Sequence, residues 1–68
     1  MGNAWQDGAG RWHATVPNNG ATAPATLYSR AKRAIRAAQR AAGQPTYFRL
    51  SLSTLDVRPG EVTYRERV

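Results

Sequence analysis

The sequence predicts a single α+β domain: a small antiparallel sheet with one amphipathic helix on one face, in the order β-β-α-β-β. Three observations predict it. Residues 23–42 place apolar side chains at helical spacing, and the segments on either side alternate with period two. Clusters of Gly, Pro and Asn punctuate the joins between them. With 68 residues there is room for one small domain only.

The elements follow in order. Residues 1–10 are Gly-rich and weakly patterned, and are expected to be loosely ordered. Asp7-Gly8-Ala9-Gly10 is a turn signal, and a short strand at Asn3–Gln6 before it would complete a hairpin. Trp12, Ala14 and Val16 alternate with Arg11, His13 and Thr15, as in a half-buried strand. Pro17-Asn18-Asn19-Gly20 is expected to end it. The helix spans Ala23–Ala42. Thr22 is placed to cap it, Pro24 suits its first turn, and Gly43 and Pro45 stop it. Its apolar face is Leu27, Ala31, Ala34, Ile35, Ala38 and Ala42.

Thr46–Val57 reads as a strand in which Phe48, Leu50 and Leu52 face the core. The apolar phase then shifts to Leu55 and Val57, which predicts a bulge near Ser53-Thr54. Arg58-Pro59-Gly60-Glu61 has the type II turn pattern, and Val62–Val68 alternates as the last strand. A core this thin supplies about 3–5 kcal/mol, so homo-oligomerisation is an expected extra source of stability. With no cysteine, neither disulfides nor thiolate metal sites contribute.

Charge is the strongest functional signal. Ten Lys+Arg against four Asp+Glu leave a net charge of +6, and Lys32 is the only lysine among the bases. Arginine grips phosphate and carboxylate with a planar fork, which points to anionic partners. Lys32, Arg33, Arg36 and Arg40 fall on the helix side away from the alanines, with Arg30 at their edge. No acid occurs between Asp7 and Asp56. A stripe of that kind suits a phosphate backbone. A second candidate surface is an exposed strand face carrying Arg49 with Tyr47, and Arg65 and Arg67 with Thr63. Aromatic rings interleaved with arginine stack and clamp single strands.

His13 is the only histidine and reads as a half-exposed strand residue. No metal-ligand set, phosphate loop or nucleophile motif is present, so no enzyme activity, cofactor or metal is expected. Trp12 reads as a packing residue, whereas Trp5 is left open between packing and stacking. The N-terminus has no charged-then-apolar leader, and no apolar run approaches the ~18 residues of a membrane span. A cytoplasmic protein without membrane contact is expected.

The order of motifs resembles the HicB-like antitoxin domain over about residues 11–57. A Trp-bearing strand ends in Val16-Pro17, a turn carries Gly20, and Thr22, Leu27, Ala31 and Ala34-Ile35 follow on a helix before the next strand. The residues carried by the resemblance are Trp12, Val16, Pro17, Gly20, Leu27, Ala31 and Ile35, all structural. It implies a partial RNase H-like arrangement and a module that binds and blocks a partner protein. The leading expectation from the residues themselves is a non-catalytic, basic nucleic-acid-binding or regulatory protein. Its contacts would be Arg30, Lys32, Arg33, Arg36, Arg40, Arg49, Arg65 and Arg67, on DNA or RNA. The alternatives are the antitoxin-type module seated on an acidic protein surface, and a structural subunit of a larger assembly.

Overall fold

The computed structural model describes residues 3–67. Its elements are β1 (Asn3–Gln6), β2 (Trp12–Asn18), α1 (Pro24–Ala41), β3 (Leu52–Arg58) and β4 (Gly60–Glu66). The strands pair antiparallel in one sheet of order β1-β2-β4-β3. β4 is therefore inserted between β2 and β3, and α1 links those two strands across it. The helix is not apolar enough to cross a membrane.

Register sorts the side chains onto two faces. Ala14 lies opposite Tyr64 and Val16 opposite Val62, and these four point at the helix with Trp12. Leu27, Ala31 and Ile35 meet them from α1, and Leu50 closes one end. Alanine at the contact lets the helix approach closely, and the aromatic rings fill the space beside it. Tyr64 meets Tyr28 edge-on at 6.4 Å, a favoured aromatic geometry. The far face carries Trp5, His13, Thr15, Thr63 and Arg65, and no helix covers it. On the near face α1 lies over β1 and β2, touches β4 lightly and hardly reaches β3.

Several expectations change. β2 continues through Pro17 to Asn18 instead of ending at Val16. Glu61, opposite Pro17, turns its backbone N–H and C=O toward Arg58 of β3, and the described β1 pairing reaches only Thr15, so proline's missing N–H falls where no described ladder bond is lost. Ala23, not Thr22, is the N-cap residue, and it makes no side-chain cap bond. The Thr22 hydroxyl donates instead to Asn19 Oδ1 at 2.9 Å. The bulge sits one residue later than predicted, with Leu55 left over between Thr54 and Asp56. Gly60 has φ +86°, as the third position of the Pro-Gly turn requires. Residues 1–10 contain a paired β1 and a bonded turn. Val68, the predicted end of the last strand, lies outside the described residues.

The largest correction concerns Thr46–Val57. The strand begins only at Leu52, and residues 44–51 form a loop. Side chains of the helix take the loop carbonyls that a ladder would use. Arg36 Nε donates to Tyr47 O at 3.0 Å, and its Nη2 donates to Phe48 O. The Tyr28 hydroxyl donates to Leu50 O at 2.9 Å. Phe48, expected in the core, is 99% exposed.

The helix face also differs in one residue. The row Leu27, Ala31, Ile35 continues four residues on to Gln39, which is fully buried, whereas Ala42 is exposed. Both Gln39 side-chain polar atoms lack a hydrogen-bond partner. A buried amide without partners costs about 1–3 kcal/mol. Gln39→Leu should therefore stabilise the fold, raising the melting temperature by about 4–8 °C per kcal/mol in a domain this small. A lowered melting temperature would show that the amide is satisfied in solution. Ile35→Ala, at the centre of the same row, should cost about 2–5 kcal/mol and leave little folded protein.

Candidate nucleic-acid interface

The outer side of α1 and the loop after it form one continuous surface. Ser29, Lys32, Arg33, Arg36, Ala37 and Arg40 line a shallow cleft of about 330 Å³ along the helix. A second cleft of about 180 Å³ adjoins it through Arg36 and Arg40 and adds Thr46, Tyr47 and Phe48. Arg36 joins the two. Its forked hydrogen bonds hold the Tyr47 and Phe48 carbonyls against the helix, and the attached rings are left facing solvent. Arg49 follows directly and is exposed.

The predicted site residues divide among several places. Arg33 and Arg40 are exposed in the clefts. Lys32 lines the first cleft, with Nζ 5.3 Å from the centre of the Tyr28 ring, a cation–π contact that keeps it at the surface. Arg36 bonds the loop, so its role is partly structural. Arg30 is exposed on the helix but lines neither cleft. Arg49 and Tyr47 belong with the helix, through the Arg36 bonds, and not with a strand face. Arg65 lies on the far face of the sheet, directly across from His13. Arg67 follows β4, and its N–H donates to Ser51 O. Among the described residues, the carboxylates that meet a basic side chain are Asp7, at His13, and Asp56, at Arg58, so no helix cation is neutralised by a carboxylate.

The far face holds a second arrangement that pattern reading missed. Trp5 stacks flat on His13, with centroids 5.3 Å apart and planes 8° apart. Asp7 anchors this stack. Its Oδ2 accepts from His13 Nε2 at 2.7 Å, and its Oδ1 accepts from the N–H groups of Ala9 and Arg11. The His13 hydrogen bond, and then that of the Arg11 N–H, hold the Asp7 carboxyl below its ordinary pKa. Asp7 followed by Gly is the only sequence signal for this, through its preference for turns that close on their own backbone. No signal marked Phe48 as exposed, because the partner that reorients its backbone lies 12 residues earlier.

No family model, curated protein or solved structure matches this chain.

Two outcomes follow from these interactions. Arg36→Ala should lower the backbone amide order parameters of residues 46–49 while those of the helix stay high, and Arg36→Lys should rescue only in part, because lysine lacks the fork. Equal order parameters in wild type and Arg36→Ala would contradict the pinned loop. Asp7 also gives a pH dependence. A depressed folded-state pKa stabilises fully above the ordinary value of 3.8, and that contribution is lost as pH falls through the depressed value. Urea midpoints of Asp7→Asn should therefore fall less on acidification than those of wild type. Parallel acid limbs would mean that Asp7 is not held as described.

Proposed function

We propose that this chain is a non-catalytic nucleic-acid-binding protein that uses the outer face of α1 and the 46–49 loop. The observation that carries the reading is the Arg36 clasp, which sets exposed Tyr47 and Phe48 rings beside arginines that no carboxylate among the described residues pairs. Arg33, Arg40 and Arg49 contact phosphates, with Lys32 and Arg30 adding charge at the margins. Phe48, and Tyr47 beside it, offer flat rings on which unstacked bases lie. Rings of that kind find no free base faces in a duplex, so single strands are the favoured ligand. The long acid-free stretch supports the same reading, since an ordinary solvated helix face mixes both signs.

Fluorescence titrations against single- and double-stranded DNA and RNA, each over a salt series, test it. Affinity should fall steeply with salt, and single strands should bind more tightly than duplexes. Replacing Arg33 and Arg40 by alanine should shallow the salt slope, by about 0.7 for each single-strand phosphate no longer neutralised. Phe48→Ala should weaken single-strand binding by about 1–3 kcal/mol and leave the salt slope unchanged. Absence of binding to all four ligands at low salt would sink the proposal and turn the same cationic face toward an acidic protein surface.

A further inference from the structure

We infer that β3 is a self-association edge: two copies join antiparallel through β3, about a two-fold axis at Val57, into one eight-stranded sheet. Three observations converge on it. The first is incomplete cover. Val57 pairs with Val62 and points to the same face, yet Val57 is 63% exposed and Val62 only 4%. Leu55 is 42% exposed beside it. The helix that shields the β2 half of the sheet hardly reaches this half.

The second is the direction of the backbone groups. Arg58 and Glu61 flank the Pro59-Gly60 loop, and the pair closing such a turn is hydrogen-bonded. Antiparallel pairs alternate, so Val57 and Val62 form the non-hydrogen-bonded pair. The Val57 N–H and C=O therefore point away from β4, to the free edge. Two Val57 residues facing each other exchange both bonds.

The third is charge register. With Val57 on the axis, Asp56 of each copy lies opposite Arg58 of the other, on the far face of the sheet. Within one chain these two side chains already share that face, since Arg58 Nε donates to Asp56 Oδ2. The sequence Asp-Val-Arg is thus complementary to itself in this register and in neither neighbouring one. The Leu55 bulge on one side and Pro59 on the other confine the pairing to this short segment. A contact of that length makes a concentration-dependent dimer and not an obligate one. The axis stands perpendicular to the sheet, so both helices lie on the same side.

Sedimentation equilibrium from micromolar protein up to about 1 mM tests the inference. Wild type should pass from monomer to dimer. Asp56→Arg alone and Arg58→Asp alone set like charges opposite one another twice, and each should stay monomeric while circular dichroism remains native. Mixing the two single variants should restore a dimer. The introduced arginine of one chain then faces the introduced aspartate of the other, and the unaltered Arg58 and Asp56 face each other at the second position. The double variant Asp56→Arg/Arg58→Asp should dimerise by itself. A wild type that stays monomeric at 1 mM would overturn the inference. Single variants that dimerise like wild type would do the same, as would a mixture that stays monomeric.

Discussion

A helix faced with alanine lies close to a sheet but covers little of it, and the rest of this structure follows from that constraint. Leu27, Ala31 and Ile35 bring α1 down onto Ala14, Val16 and Tyr64, where small side chains permit close contact. The same smallness leaves a narrow footprint over β1 and β2. Everything outside that footprint needs another partner. Tyr28 and Tyr64 fill one margin, and Leu50 enters another. The β3 side stays open, and Val57 with it.

The loop after α1 answers the same constraint from the polar side. Residues 44–51 have to travel from the helix end to the far edge of the sheet without a ladder of their own. Arg36 and Tyr28 supply the missing donors, Arg36 from the outer side of the helix and Tyr28 from the margin of the core. The result couples structure to surface chemistry. A guanidinium committed to two backbone carbonyls fixes the neighbouring aromatic rings outward, beside cations that no carboxylate among the described residues neutralises. The far face of the sheet is organised differently. There Asp7 ties a turn, an imidazole and an indole into one stack, and Arg65 stands across from it. The arginines of the chain therefore serve separate surfaces on opposite sides of the sheet.

Local order was legible in the sequence and long-range order was not. The helix announced itself through Pro24, Gly43 and its apolar spacing. The hairpin at Asn3–Gln6 came from Asp7-Gly8, and the bulge came from the change of phase at Leu55. Each of these signals lies within a few residues of what it predicts. The failures have the opposite character. Thr46–Leu50 alternates like a strand, but its carbonyls are taken by side chains more than ten residues away, which no local pattern encodes. Gln39 occupies an apolar row with a polar side chain, so composition argued against its burial while spacing argued for it, and spacing won. The insertion of β4 between β2 and β3 rests on tertiary pairing alone. The cationic side chains stand at the helix positions that spacing gives them. Tyr47 is expected on a strand face and Phe48 in the core, and both instead lie exposed on the loop, because no strand forms there.

A helix and loop clasped together by Arg36 should respond to a ligand as one surface. Amide chemical-shift mapping with a short single-stranded oligonucleotide at low salt decides whether they do. Perturbations should concentrate at Arg33, Ala37, Arg40 and residues 46–49, with the far face quiet. Perturbations centred on Trp5, His13 and Arg65, or none at all, would contradict the binding surface described.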